Sequence, residues 1–139
     1  MFSLLYGFWQ YMFQKDEYYV LILGLDNAGK TTFLEQAKAS LNPNYKTLNL
    51  SKISCTVGLN IGKIVSEGVV LNFWDLGGQS ELQCLWDKYY AESHAIIYVV
   101  DSSDTERIQE SKAAFDKLIH NDALKELPLL FVANKQDVQ

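Results

Sequence analysis

Short apolar runs alternate along the chain with segments whose apolar residues recur at helical spacing. The apolar runs predict strands at residues 19–23, 57–65, 69–74, 95–100 and 128–133. The helical segments cover residues 32–38, 82–91 and 106–121. Apolar strands that alternate with helices are typical of a mostly parallel sheet with helices on both faces, so the pattern predicts an α/β fold.

The middle of the chain departs from this alternation. Residues 41–55 are rich in Asn, Ser, Thr and Lys and predict a long loop, which in a compact domain usually has a function. The strands at 57–65 and 69–74 are joined by Ser66, Glu67 and Gly68, which predict a hairpin turn. We therefore expect one antiparallel hairpin beside the parallel strands.

Residues 1–14 form a strongly apolar segment without charge, and Leu5, Phe8, Trp9, Met12 and Phe13 recur at helical spacing. The segment predicts an N-terminal amphipathic helix. Two alternatives stay open: the helix packs on its own domain, or it lies in a membrane interface. It is too short to span a bilayer, lacks the features of a secretory signal and has Phe2 where N-myristoylation needs glycine.

Composition narrows the class of protein. The 139 residues suffice for one domain with a real core. The net charge of −5 and the lack of a Lys or Arg run argue against a nucleic-acid surface and polybasic attachment to lipid. Cys55 and Cys84 lie far apart and read as reduced thiols of a cytosolic protein.

A glycine-rich motif follows the first predicted strand and precedes a predicted helix. It has the pattern of a phosphate-binding loop, and its residues are Gly24, Leu25, Asp26, Asn27, Ala28, Gly29, Lys30 and Thr31. In such a loop, backbone N–H groups and the helix N-terminus cradle phosphates, the lysine reaches the β- and γ-phosphates, and the threonine ligates Mg²⁺. The alternative, a chance glycine turn, does not account for the flanking strand and helix.

Further polar residues follow the later strands, where the carboxyl ends of a parallel sheet meet. Asp75 is placed to hold Mg²⁺, Thr56 to close on the metal, and Gly78 to approach a γ-phosphate. Gln79 is placed to orient an attacking water. The last strand is followed by Asn134, Lys135 and Asp137, and an aspartate can accept two hydrogen bonds from guanine but not from adenine.

In this order the motifs resemble those of the Arf and Arf-like small GTPases. The matching stretches are GLDNAGKT at 24–31, TVG at 56–58, WDLGGQ at 74–79, LWDKYY at 85–90 and NKQD at 134–137. YMFQKDEYY at 11–19 looks most like a Golgi-associated branch of that family. The resemblance implies a P-loop small G domain that binds GTP or GDP with Mg²⁺. It implies phosphate contacts from Asp26 through Thr32, metal ligation by Thr31 and Thr56, and an effector patch at Leu59, Trp74 and Tyr89.

On this basis we expect a cytoplasmic GTPase switch, a monomer peripheral on Golgi and trans-Golgi membranes, that recruits effectors in vesicle trafficking. Expected partners are an exchange factor, a GTPase-activating protein, membrane effectors and a Golgi membrane-protein receptor, with no nucleic acid. Hydrolysis should be slow alone, because the single arginine, Arg107, is expected to stabilise structure while an activating protein supplies the arginine finger.

The family continues past NKQD with a helix, a sixth strand and a C-terminal helix. We therefore expect the helix at 1–14 to be followed by an incomplete G domain at 15–139, without the last strand and helix. One alternative is a truncated, non-catalytic interaction module that binds nucleotide weakly. Another is an ATP-dependent P-loop enzyme, which Asp137 disfavours.

Overall fold

A computed structural model of the chain describes residues 2–46, 49–53 and 56–137. The strands within these ranges are β1 (Asp16–Leu23), β2 (Leu59–Ser66), β3 (Val69–Leu76), β4 (Ala95–Asp101) and β5 (Leu129–Asn134). The α-helices are α1 (Phe2–Phe13), α2 (Lys30–Leu41), α3 (Asp87–Tyr90) and α4 (Ile108–Ile119). The predicted loop at 41–55 contains a 3₁₀ turn at Leu50–Lys52, and its residues 47, 48, 54 and 55, including Cys55, lie outside the described ranges.

The strands form a single sheet in the order β2-β3-β1-β4-β5. β1 runs parallel to β3 and β4, and β4 runs parallel to β5, whereas β2 is antiparallel to β3. The predicted α/β fold with a mostly parallel sheet is therefore confirmed. Glu67 and Gly68 both have positive φ, at 50° and 79°, as the tight turn of a twisted hairpin requires.

The core lies on both faces of the sheet because β1 is buried on both sides. Leu21 and Leu23 point to one face, where Leu118 of α4 packs against them in a common cluster. Ile22 points to the opposite face, where Leu34 of α2 belongs to its cluster. The carboxyl end of β1 is thus fixed between two helices, and this rigid end carries the loop that leads into α2.

The predicted continuous helix at 82–91 is wrong. The structure has a 3₁₀ turn at Ser80–Leu85 followed by the single α-turn of α3. A 3₁₀ turn aligns side chains three residues apart. Here it directs Gln83 and Trp86 to the carbonyls of Gly78 and Gly77, at 3.2 and 3.1 Å. These two hydrogen bonds account for the tighter winding.

Other element boundaries shift by a few residues. α2 begins at Lys30, two residues before the predicted start, because the phosphate loop itself winds into the helix. α4 is shorter than predicted, since the Asp104 carboxylate accepts a hydrogen bond from the Arg107 N–H at 3.3 Å and the helix begins only after Arg107. β3 extends through Leu76, so Asp75 lies inside the strand.

α1 does not pack on the rest of the chain in this structure, and every one of its residues is exposed. Even its least exposed large apolar side chain, Trp9, keeps 59% of its surface accessible. The first of the two alternatives for this helix, packing on its own domain, is therefore not observed. None of the described helices combines the length and apolarity needed to cross a membrane.

Candidate functional site

The loop between β1 and α2 curls tightly around its own backbone. Asn27 and Gly29 have positive φ, at 61° and 92°. The positive φ favours glycine at position 29, and a Cβ atom there would also lie 2.3 Å from the Asn134 side-chain nitrogen and displace that side chain. α2 begins at the next residue, so the loop ends at a helix N-terminus. The free N–H groups and the positive dipole end of a helix N-terminus form a site that favours anions.

Lys30 places a cation inside the same loop. The residue is buried, and its ammonium group donates a hydrogen bond to the Leu25 carbonyl at 2.8 Å. Leu25 and Ala28 are buried in the core clusters on the two faces of the sheet, so the loop is fixed to the core at both residues. The ammonium is therefore held in a fixed position by the fold.

A cavity of about 190 Å³ opens in front of this loop. Nine of its ten lining residues are predicted site residues, and the tenth is Ile53, for which the sequence pattern gives no signal. The lining residues are Asp26, Asn27, Gly29, Lys30, Thr31, Thr32, Ile53, Thr56, Gly78 and Lys135. The structure thus brings residues from distant parts of the chain to one polar cavity.

An oxygen cluster centred on Asp75 lies beneath the cavity. The Thr31 hydroxyl donates to Asp75 Oδ2 and lies 2.8 Å from the Thr56 hydroxyl. Thr56 Oγ1 and Asn60 Nδ2 each lie 3.4 Å from Asp75 Oδ2. Asp75 is fully buried, and burial raises the pKa of its carboxyl above the ordinary value although the hydrogen bond from Thr31 opposes this.

The same cluster has the chemical properties of a binding site for a hard cation. Asp75 Oδ1 is buried and has no hydrogen-bond partner among the described residues. A buried carboxylate oxygen without a partner is costly, and a cation is one partner that offsets this cost. Carboxylate and hydroxyl oxygens are the ligands Mg²⁺ takes from proteins, together with water and substrate phosphates. The residues present therefore fit Mg²⁺.

Two glycines follow β3, and the second of them, Gly78, packs against the phosphate loop. Gly77 donates its N–H to the Gly58 carbonyl at 2.8 Å. A Cβ atom at Gly78 would lie 2.3 Å from backbone atoms of the loop, the Asp26 nitrogen among them. Gln79 follows directly at the start of the 3₁₀ turn, partly buried and outside the set of residues that line the cavity.

The last residue of β5 and the residue that follows it contact the phosphate loop. Asn134 Nδ2 donates to the Ala28 carbonyl at 2.9 Å, and Lys135 Nζ donates to the Asn27 carbonyl at 2.5 Å. Lys135 also pairs with Asp101 at 2.9 Å, a contact that the sequence does not reveal. Asp101 ends β4, which is the one positional signal that could have pointed to it. Asp137 lies exposed in the following turn.

Arg107 contacts the phosphate loop from the N-terminal end of α4. Its Nη2 lies 2.7 Å from Asp26 Oδ1 and its Nη1 lies 3.2 Å from the Asp26 carbonyl. Its Nε donates to Glu110 at 3.0 Å. The hydrogen bond from Arg107 holds the pKa of Asp26 below its ordinary value. The expected structural role of Arg107 agrees with these contacts, whereas its partner Asp26 was not foreseen.

The predicted effector patch lies on the hairpin side of the sheet. Trp74 and Tyr89 are in contact, with ring centroids 5.3 Å apart. Leu59 lies on the same face as Trp74, because Leu59 pairs with Leu76 and Ile61 pairs with Trp74. Ile61, 61% exposed and opposite Trp74, belongs to this surface and was not among the predicted residues.

Comparison with known proteins supports the resemblance that the motifs suggest. The family model described as the ADP-ribosylation factor family matches residues 5–139. The chain is 64% identical to ADP-ribosylation factor-related protein 1 of Bos taurus and 63% identical to that of Homo sapiens. Each match covers the whole chain and 69% of the relative. It is 44% identical to ADP-ribosylation factor-like protein 3 of Saccharomyces cerevisiae, over the whole chain and 70% of that protein.

A solved structure gives the same result for the fold. The Arl6 BBS3 small GTPase from Trypanosoma brucei, with bound nucleotide analogue GppNp, superposes with a TM-score of 0.75 at 32% identity. The superposition covers 88% of this chain and 70% of the trypanosome chain, so this chain is short relative to its relatives. With the family match and the small GTPase fold in agreement, the chain belongs to the ADP-ribosylation factor family.

Proposed function

We propose that the chain binds GTP and GDP at the described cavity and acts as a nucleotide-dependent switch. One observation carries the proposal: three groups of residues meet at one cavity. They are the phosphate loop, the oxygen cluster at Asp75, and the pair Asn134 and Lys135 at the end of β5. The bound nucleotide analogue of the trypanosome relative supports it. In this proposal the chain's own residues would contact the phosphates, the metal and the base.

The phosphates would bind the N–H groups from Asp26 through Thr32 and the ammonium of Lys30, with Gly24 at the entry of the loop. Thr31, Thr56 and Asp75 would hold Mg²⁺, which would supply positive charge to offset the negative charge of the phosphates. Gly78 would approach the γ-phosphate, since its missing side chain already lets the backbone touch the phosphate loop.

Guanine would be recognised next to the phosphate loop. Asn134 and Lys135 brace the loop through Ala28 and Asn27, and the exposed Asp137 carboxylate would accept hydrogen bonds from the base. Adenine lacks the matching pair of donors, so the chain should discriminate against ATP.

Hydrolysis by the chain alone should be slow. The Arg107 guanidinium is bonded to Asp26 and Glu110, so it does not serve as the arginine that stabilises the transition state. Such an arginine contributes about 10³–10⁵ to the rate, and a GTPase-activating protein would supply it. Gln79 would orient the attacking water. Single-turnover hydrolysis should therefore respond to an activating protein in the wild type and lose that response in Gln79→Leu.

The switch would act at a membrane. α1 (within the proposed segment 1–14) exposes its large apolar side chains, and seven of them line one face, which suits an interfacial helix. We propose peripheral attachment at Golgi and trans-Golgi membranes, because the motifs resemble a Golgi-associated branch of the family. The proposed partners are an exchange factor, effectors at Leu59, Trp74 and Tyr89, and a membrane-protein receptor. Flotation with liposomes tests the helix: Phe8→Ala with Trp9→Ala should abolish binding, and retained binding would exclude α1 as the anchor.

A further inference from the structure

We propose that Arg107 is a positioning residue that neutralises the Asp26 carboxylate of the phosphate loop and thereby protects the affinity for GTP over that for GDP. The inference rests on the proposed function, because it concerns the nucleotide that the cavity binds. It assigns a role to a contact between parts of the chain 81 residues apart.

Asp26 places a negative charge where polyphosphate must bind. The residue lines the cavity together with the phosphate-binding backbone of the loop. An ionised carboxylate there repels a nucleotide that carries several negative charges. The hydrogen bond from Arg107, together with its positive charge, keeps the pKa of Asp26 low, so the carboxylate is ionised at neutral pH. The loop therefore contains an anion whose charge must be offset from within the protein.

Arg107 is built to supply that offset. Its guanidinium donates hydrogen bonds to the Asp26 carboxylate at 2.7 Å and to the Asp26 backbone carbonyl at 3.2 Å. These bonds hold the carboxylate on the α4 side of the loop. Glu110 bonds the other edge of the guanidinium at 3.0 Å and fixes its orientation. Two hydrogen bonds from one planar guanidinium fix the orientation of the Asp26 residue and also neutralise its charge. A lysine ammonium would neutralise the charge without fixing the orientation.

Stability alone does not account for this arrangement. Arg107 and Asp26 keep 32% and 23% of their side-chain surface accessible, and partly exposed ion pairs contribute little to folding. Two further cations lie near the loop: Lys135 is paired with Asp101, and Lys30 donates a hydrogen bond to the Leu25 carbonyl. Removing Arg107 therefore leaves the Asp26 charge beside the phosphates with its main partner gone.

The effect should depend on the nucleotide. GTP carries more negative charge than GDP, so an uncompensated carboxylate penalises GTP more. We expect Arg107→Ala to lower GTP affinity on the order of tenfold and GDP affinity about threefold, which suits one screened charge interaction at a protein surface. Adding Asp26→Asn to Arg107→Ala should restore the affinities for GTP and GDP, because the carboxylate that repels the phosphates is then neutral.

The experiment is a double-mutant cycle on the full chain. Dissociation constants for GDP and a non-hydrolysable GTP analogue are measured for the wild type, Arg107→Ala, Asp26→Asn and the double variant. Lys112→Ala is the matched control, because it removes a positive charge from an exposed position of the same helix outside the cavity lining, and it should change either affinity less than twofold. We expect the double variant to return to within about threefold of the wild type.

Each outcome bears on the inference. If Arg107→Ala binds both nucleotides like the wild type, or if Asp26→Asn fails to rescue it, Arg107 is only structural and the inference is overturned. Should Arg107→Ala not fold, Asp26→Asn alone decides: raised GTP affinity supports the inference, and an unchanged or lowered GTP affinity overturns it. A folded wild type that binds neither nucleotide would instead remove the proposed function.

Discussion

The close contact between Gly78 and the phosphate loop gives a prediction whose size follows from the structure. In Gly78→Ala, the new Cβ would lie 2.3 Å from the Asp26 nitrogen, the Gly24 oxygen and the Leu25 carbonyl carbon. All three are backbone atoms, so no side-chain rotation relieves the overlap. Gly78 does not have a positive φ, and the penalty is therefore steric and not conformational.

To reach ordinary contact distance, the glycine segment and the phosphate loop must separate by about 1 Å. Overpacking of this kind costs about 1–3 kcal/mol. The shift also strains the hydrogen bonds from Trp86 and Gln83 to the glycine carbonyls, each worth about 1 kcal/mol. We expect a loss of about 2–4 kcal/mol in the free energy of unfolding, a large part of the roughly 5–15 kcal/mol typical of a domain.

Urea denaturation of the nucleotide-free protein measures this loss, and GTP-analogue binding measures the effect on the site. Gly68→Ala is the control: its Cβ would meet nothing within 4 Å, but its φ of 79° is unfavourable for alanine. That strain costs about 1 kcal/mol and should not affect nucleotide binding. If Gly78→Ala is no less stable than Gly68→Ala and binds the GTP analogue like the wild type, the close approach is not a constraint.

Three further changes test other parts of the structure. Asp75→Asn should remove the Mg²⁺-dependent part of GDP affinity, about tenfold or more, and an unchanged response to EDTA would contradict the oxygen cluster as a metal site. Tyr45→Phe deletes a 2.7 Å hydrogen bond to the buried Glu35 carboxylate and should cost about 1–2 kcal/mol in urea denaturation; a loss below about 0.3 kcal/mol would show that the bond is dispensable. Leu130→Lys adds a charge to the exposed edge strand β5 and should lower aggregation in light scattering, whereas unchanged scattering would place the aggregating surface elsewhere.

Local signals account for the parts of the fold and site that could be predicted from the sequence. The phosphate loop depends on glycines and a lysine within eight consecutive positions, and the buried strands depend on continuous apolar runs. The expected alignment of strand ends at one edge follows from the alternation of strands and helices. These features need no knowledge of which distant residues meet.

Contacts between distant residues account for what the sequence could not reveal. The partners of Arg107 and Lys135, Asp26 and Asp101, depend on where α4 and β5 come to lie. The exposure of Ile61 depends on the register between β2 and β3. The 3₁₀ turn after Gln79 depends on where the side chains of Gln83 and Trp86 find acceptors, which helical periodicity does not encode.

Guanine-nucleotide binding at the cavity is the central claim, and competition binding tests it most directly. Labelled GDP bound to the full chain is titrated with unlabelled GDP, GTP and ATP in the presence of Mg²⁺. The account predicts that GDP and GTP displace the label and that ATP does not, because Asp137 is proposed to accept hydrogen bonds that only guanine can donate. It also predicts that Asp137→Asn weakens GDP binding. Displacement by ATP as effective as by GTP, or a folded protein that binds no labelled GDP, would contradict it.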